Sequence, residues 1–335
     1  MIRCGIVGFG KMGKIRAAAI EASGAGRVVL VYDPEAEVNT TYALAKSAKE
    51  VIVSEEVDAV FVCTPNHLIP DLCVGALSAG KHVFCEKPPG FNAADVERVL
   101  HAERNASGKK LMYGFNHRHH ESIKRMHEIV NTQELGKILW MRGRYGKEVD
   151  KAYFSGWRAD PKLAGAGILL DQGIHMVDLL LFFGGGFDEV RAFVSNLFWK
   201  IEGIEDNVFA IFRNSETGCC ASLHSTMTQW RYLFSLEVFL QGGSLILNGL
   251  KTSSGSYGDE VLTVRRNPSY LFDGRFDQEE VITYNNDTSW QSEVNHFFSC
   301  IKHNYQPQYG SGQDALELMR LIDQVYIEGL PRKEV

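Results

Sequence analysis

Asp171 and His175 stand four residues apart in Gly167-Ile168-Leu169-Leu170-Asp171-Gln172-Gly173-Ile174-His175, a spacing that places both on one face of a helix, with Asp178 one turn further along. An imidazole with an ordinary pKa near ~6.5 suits proton removal from an alcohol at neutral pH, and a carboxylate one turn away can orient its ring and stabilise the imidazolium. The same residues also admit a buried, hydrogen-bonded histidine, or Asp171, His175 and Asp178 as metal ligands. Neither alternative accounts for Gly165 and Gly167, which precede the helix and leave room for a ligand. A second group is Lys87 in Glu86-Lys87-Pro88, which follows the apolar run 82–85. Ligands of open α/β sheets bind beyond the carboxyl ends of such strands, where a lysine can donate a hydrogen bond to a substrate oxygen and stabilise alkoxide character. In isolation the tripeptide also reads as an ordinary solvated loop.

A third signal is Gly8-Phe9-Gly10-Lys11-Met12-Gly13, which fits G-x-G-x-x-G between a strand at 4–7 and a helix. In that setting Gly8 permits the tight turn, Gly10 lets a pyrophosphate approach the backbone, and Gly13 lets helix and strand pack closely, while the helix N-terminus offers N–H groups to the anion. Asp33 ends the second strand, 28–32, where a carboxylate accepts hydrogen bonds from a ribose hydroxyl and repels a 2′-phosphate. No arginine follows in Pro34-Glu35-Ala36-Glu37, so NAD is favoured over NADP. The bland readings are a glycine-rich turn without a ligand and an aspartate that starts a turn before Pro34.

These groups must be positioned by a chain of 335 residues, longer than the roughly 250–300 at which single cores stop growing, so two domains are expected, 1–118 and 119–335. In the first, β-rich runs at 4–7, 28–32, 59–63, 82–85 and 110–114 alternate with helical stretches at 12–22, 42–48, 70–79 and 93–107, the pattern of βαβ units in a doubly wound parallel sheet. In the second, strands follow one another at 138–145, 189–198, 208–213, 219–227, 234–241 and 244–248, which predicts an open, mainly antiparallel sheet interrupted by one long helix, 167–183. Apolar faces built from Trp290, Val294, Phe297, Phe298 and Ile301, and from Ala315, Leu318, Met319, Ile322, Val325 and Tyr326, predict two closing helices. The fold class is therefore α/β followed by α+β.

Lysine and arginine number 35 against 41 acidic residues, a net charge of −6 with no basic run, which argues against a nucleic-acid partner. The sequence shows no signal-peptide pattern and reads as lacking an 18-residue apolar run, so no membrane partner is expected and the protein is placed in the cytoplasm. Seven cysteines without a C-x-x-C read as reduced core residues, and no metal is expected.

Taken together, the GFGKMG strand, Thr64-Pro65-Asn66, Glu86-Lys87-Pro88 and the Asp171–His175 segment resemble the Gfo/Idh/MocA family of oxidoreductases over essentially the whole chain. The resemblance implies that Lys87, Asp171 and His175 are catalytic, and that Gly8, Phe9, Gly10, Lys11, Met12, Gly13, Asp33, Thr64, Pro65, Asn66, Glu86 and Lys87 border NAD. Two departures stand out: Ile69 replaces the histidine of the family's T-P-N-x-x-H loop, with His67 two residues earlier, and Ala164-Gly165-Ala166-Gly167 replaces a run of three glycines. Asn116 and Arg118 fall on the segment that leads into the substrate site, and Trp157, Arg158 and Trp230 would form its aromatic and cationic wall, beside Lys87, Asp171 and His175. In relatives with such a wall the substrate is often a nucleotide sugar of lipid A or polysaccharide biosynthesis. The expectation is C3 oxidation of a UDP-N-acetylglucosamine-like compound, with Arg118, Arg158 and Arg231 on the diphosphate; inositol or a free aldose is the alternative. Net hydrolysis through a transiently used nicotinamide, or an NAD-bound regulatory sensor, are readings of another class. A homo-oligomer, dimer or tetramer, through the open sheet is also expected.

Overall fold

The computed structural model describes residues 1–34, 40–252, 257–267 and 279–330; residues 35–37, used above in the choice between NAD and NADP, lie outside them. Ile2–Val7 form β1, whose last four residues are buried, as an apolar run between two neighbouring strands requires. With β2 (Gly26–Tyr32), β3 (Ala59–Val62), β4 (His82–Glu86) and β5 (Leu111–Gly114) it builds a parallel sheet in the order β2-β1-β3-β4-β5. The strand order reverses between β1 and β3, the kind of point where open α/β sheets leave a ligand crevice beyond their carboxyl ends. The connecting helices are α1 (Lys11–Ala22), α2 (Ala48–Val53), α3 (Ile69–Ser78) and α4 (Ala93–Asn105).

Contacts divide the chain into two compact units: residues 1–119 with 288–320, and residues 120–287 with the chain from 321 onward. The return of 288–320 to the first unit has a packing reason. Helix α9 (Ser289–His303) inserts Phe297 and Phe298 against the stacked pair Phe61 and Phe84, with ring centroids between 5.6 and 6.2 Å from theirs. Those rings are the centre of the first unit's core.

In the second unit the strands β6 (Ile138–Gly146), β7 (Glu189–Ser195), β8 (Asn207–Arg213), β9 (Cys220–Thr226), β10 (Leu233–Leu240), β11 (Gly243–Asn248), β12 (Glu260–Arg266) and β13 (Glu279–Tyr284) run in the order β13-β12-β11-β10-β6-β9-β8-β7. The β6–β9 pair is parallel and the other described pairs are antiparallel. The helical pieces are α5 (Glu121–Thr132), α6 (Lys151–Ser155), α7 (Pro161–Ala164) and α8 (Ile174–Gly184), and α10 (Gly312–Gly329) closes the described chain. Met176 of α8 packs so closely on Gly143 of β6 that a side chain there would collide with it. Phe193, Phe209 and Ile211 on the other face of the sheet are exposed.

Four expectations change. Residues 42–48 are not helical: Leu44 makes a parallel bridge to Val31, and α2 starts later, where the Ser47 hydroxyl accepts the Glu50 N–H. The helix expected over 167–183 begins as a π-helical turn, Leu169–Gly173, before α8. Strand β7 stops at Ser195, short of 198, and β12 and β13 join a sheet whose named runs had ended at 248. Finally, Pro161–Gly184 is apolar and long enough to cross a membrane, because Asp171, His175 and Asp178 interrupt it only thinly; most of it is buried inside the unit like a core helix.

His82 opens β4, and its Nδ1 accepts the Lys110 N–H at 3.1 Å. Burial, then Lys109 and Lys110, depress its pKa to about 4. Because the folded state disfavours the imidazolium, His82 should leave stability unchanged above its unfolded pKa of about 6.5 and reduce it as pH falls from there toward about 4. Equilibrium urea unfolding of the protein and of His82→Asn from pH 8 to pH 4 checks this: the variant should show the shallower decline.

Candidate functional site

The turn between β1 and α1 is shaped by its glycines. Gly8 has φ +89°, and a Cβ there would lie 2.5 Å from the Cys63 carbonyl oxygen; at Gly13 a Cβ would collide with the Gly8 carbonyl. A Cβ on Gly10, by contrast, would meet open space, and Gly10 caps α1 with no side-chain hydrogen bond and no acidic residue in the first turn. The N–H groups of α1 are thus left for an anion. Asp33 Oδ2 accepts the Phe9 N–H at 2.6 Å, so this carboxylate also fixes the glycine-rich turn, a link the sequence reading missed. The Phe9 side chain is packed in the core and only its backbone faces the turn, while Lys11 is exposed and Met12 half-buried. Thr64 and Pro65 follow β3, Asn66 opens a short 3-10 turn, and Thr64 Oγ1 is a buried hydroxyl oxygen without a partner. An open backbone cradle, a bare helix N-terminus and an orphaned hydroxyl fit a dinucleotide.

Glu86 ends β4, but its carboxylate accepts from Arg16 Nε at 2.5 Å and is buried. Arg16 Nη1 lies 2.6 Å from Glu293 of α9, and the guanidinium carbon sits 4.4 Å from the centroid of Phe84 and 4.7 Å from that of Trp290. Burial works against the guanidinium charge, yet the two carboxylates outweigh it and hold the Arg16 pKa above its ordinary value. Glu86 is therefore the fixed post from which half-buried Lys87 projects, beside a cis Lys87–Pro88 bond.

On the second unit, Asp171 lies in the π-helical turn and His175 in the first turn of α8, so the two are joined through a wider turn than the plain α spacing assumes. Asp171 Oδ2 accepts from Lys147 Nζ at 2.5 Å and Oδ1 from Arg158 Nε at 3.2 Å. Lys147, one residue past β6, was not singled out in the sequence; it is buried, with its ammonium 4.8 Å from the Tyr153 ring centroid. Lys147 follows a strand that alternates buried and exposed residues and carries Arg142 and Arg144, so no local signal set it apart from its neighbours. His175 is 5% exposed, and the Tyr145 ring meets it edge-on at 6.3 Å. Burial pushes the Tyr145 and Tyr257 hydroxyls up, and Tyr257 Oη accepts from Gln172 at 2.9 Å. Asp178 is wholly buried. Gly167 gives its space to the Glu205 backbone, whose carboxylate accepts the Gly167 and Leu169 N–H groups at 2.6 and 2.9 Å; burial, opposed by those bonds, raises the Glu205 pKa.

The segment after β5 is a 3-10 turn, Asn116–His119, not an extended strand. Asn116 Nδ2 donates to Ser289 Oγ at 3.2 Å, and buried Arg118 pairs with Asp314 at 3.3 Å. His117, His119 and His120 are buried as well, and His120 Nδ1 lies 3.1 Å from Glu260. Trp157 opens a short turn in which Arg158 stacks on its ring, 4.3 Å from the centroid, and Trp230 is exposed with φ +60°.

Residues 2–115 match the model described as the oxidoreductase family, NAD-binding Rossmann fold, and residues 123–246 match the GFO/IDH/MocA C-terminal domain. Curated relatives include a 1,5-anhydro-D-fructose reductase of Ensifer adhaerens, 29% identical over 75% of this chain and 77% of the relative. A myo-inositol 2-dehydrogenase of Thermotoga maritima is 26% identical over 77% of this chain and 79% of its own. Among solved structures, a levoglucosan dehydrogenase in complex with NADH and levoglucosan aligns with TM-score 0.85 at 20% identity, covering 98% of this chain and 96% of that one. A 3-ketoreductase from Actinomadura kijaniata in complex with NADP and TDP-benzene aligns with TM-score 0.83 at 21% identity, covering 98% of each.

Replacing Arg16 by methionine leaves Glu86 and Glu293 buried without their shared cation, and should cost about 3–5 kcal/mol in equilibrium urea unfolding. A loss below about 1 kcal/mol would show that the pair anchors nothing.

Proposed function

Since the chain belongs to the Gfo/Idh/MocA oxidoreductase family, with an NAD-binding Rossmann domain, we propose that it is an NAD-dependent dehydrogenase that oxidises a secondary hydroxyl of an uncharged sugar or cyclitol. The observation that carries this reading is the Asp171 carboxylate clamped by Lys147 and Arg158, one short turn before nearly buried His175. A carboxylate fixed by two cations can hold polar groups in one geometry toward a hydroxyl.

In this reading Lys87 donates a hydrogen bond to the reacting oxygen and stabilises its alkoxide character, while the His175 imidazole takes the hydroxyl proton. Asp171 is a positioning residue that balances the imidazolium once it forms. Bound NAD supplies the acceptor for the hydride that leaves the carbinol carbon as the carbonyl forms. The N–H groups at the start of α1 hold its pyrophosphate, and Asp33 holds its adenosine ribose.

The uncharged substrate is favoured by the state of the arginines. Arg118 is buried against Asp314, and Arg158, though its side chain is 42% exposed, is engaged by Asp171; of the three expected on a diphosphate, Arg231 is the one outside the ion pairs of the described residues. The relatives named for myo-inositol and 1,5-anhydro-D-fructose point the same way. A nucleotide sugar, with a UDP-N-acetylglucosamine-like compound as its example, is the second reading, favoured by exposed Arg231 beside Trp230. The reading also places the protein in the cytoplasm, in keeping with seven free cysteines, and pairs the exposed Phe193, Phe209 and Ile211 of the open sheet with a second copy.

NADH absorbance over a panel of inositols, free hexoses and UDP-sugars tests the proposal; NAD binding without turnover on any of them would favour a sensor. Lys87→Ala and His175→Ala should each lower kcat by about 10²–10⁴-fold with NAD affinity nearly intact, and normal turnover in either would remove that residue from the mechanism. Asp33→Ala should weaken NAD binding and erode discrimination against NADP, because it removes both the ribose acceptor and the brace on the Phe9 N–H. An unchanged NAD-to-NADP ratio of kcat/KM would count against Asp33 as the ribose ligand.

A further inference from the structure

Folding drives large apolar rings inward, so a braced loop that holds them in water calls for a reason. Beyond the end of β7 the N–H groups of Leu197, Phe198 and Trp199 all donate to the carboxylate of wholly buried Asp206, at 2.7, 2.7 and 2.9 Å. Asn196 closes the same loop through Lys200 N, Lys200 Nζ and the Ile201 carbonyl. Trp199 Nε1 donates to the Met227 carbonyl at 3.0 Å. Onto this frame are set Phe198, 57% exposed, and Trp230, 58% exposed, the latter in the left-handed backbone region that bulky residues seldom adopt. Their rings meet at 5.1 Å; Trp199 lies 4.9 Å from Phe198 and 5.2 Å from Phe154 of α6, itself 43% exposed.

The cluster is continuous with the catalytic side of the same unit. Phe154 touches Tyr153 edge-on, the Lys147 ammonium lies over Tyr153, and Lys147 holds Asp171. Resting on the dehydrogenase reading above, we propose that Phe154, Phe198, Trp199 and Trp230 bind a second, non-reacting sugar ring, so that the preferred substrates are glycosides with a neutral glycosyl unit. The apolar C–H face of a pyranose lies well on aromatic rings fixed in advance, since little freedom is lost on binding. Most of the nearby cations are already engaged, Lys147 and Arg158 by Asp171 and Lys200 Nζ by Asn196, which leaves Arg231 beside Trp230 as the exposed charge at the cluster's edge.

The test compares glucose with maltose, cellobiose and phenyl β-glucoside, by NADH formation and by calorimetric binding to the NAD-loaded protein. A disaccharide should exceed glucose in kcat/KM by about tenfold, and Phe198→Ala and Phe154→Ala should each remove most of that preference while changing glucose less than about twofold. Equal losses on both sugars, or no loss on either, overturn the site. Preference for the phenyl glucoside alone replaces the sugar ring by an aromatic one and overturns the proposal as stated. A change in oligomeric state in Phe198→Ala, with the sugar preference intact, gives the surface to a second copy. Disaccharide binding that Phe198→Ala abolishes, without NADH from any sugar, keeps the site and overturns the dehydrogenase. Turnover of glucose without preference does the reverse, and neither binding nor turnover overturns both.

Discussion

A guanidinium with no exposure to water holds the first unit together. Arg16 cannot be solvated, so its charge has to be met on the spot by Glu86 and Glu293, and its flat faces by Phe84 and Trp290. Those contacts join the helix that follows the glycine-rich turn, the strand that ends at Glu86 just before Lys87, and a helix some two hundred residues further along the chain. Even Gly114 on β5 is bound by it, since a Cβ there would lie 2.9 Å from Arg16 Nη2. The glycine-rich turn and Lys87 thereby share one rigid reference, which this charge network provides.

Much of this was legible in the sequence where local rules act alone. The five parallel strands, the glycine-rich turn and the closing helices follow from apolar runs, turn glycines and helical periodicity. Asp171 and His175 were legible as a pair from their spacing, but not the π-helical turn between them, which depends on Glu205 reaching back to the Gly167 and Leu169 N–H groups. Glu86 and Arg118 share one feature that the motifs do not show: each is buried and already paired with a charge far away in the chain. Arg16, Asp314 and Lys147 lie between 24 and 277 residues from the groups they engage, beyond the reach of any local pattern.

Asp33 and Asp206 show one device used twice. Each carboxylate accepts backbone N–H groups of a loop that has no regular structure of its own, one from the glycine-rich turn and three from the aromatic loop. Short acidic side chains suit this work because both oxygens can take N–H donors from turns that a sheet or helix would otherwise have to satisfy. Each loop is in this way tied to a carboxylate that anchors it from within its own unit.

The discontinuity of the first unit bears on how the protein is made. Phe61 and Phe84 are synthesised more than two hundred residues before the rings that cover them, Phe297 and Phe298, and Arg16 still longer before the Glu293 that neutralises it. Until then the nascent Rossmann sheet carries an uncovered aromatic face and a half-paired buried cation, a state that invites chaperones and misassembly, while the second unit has most of its sheet already in hand. The unit that begins first thus closes only after most of the second has been made.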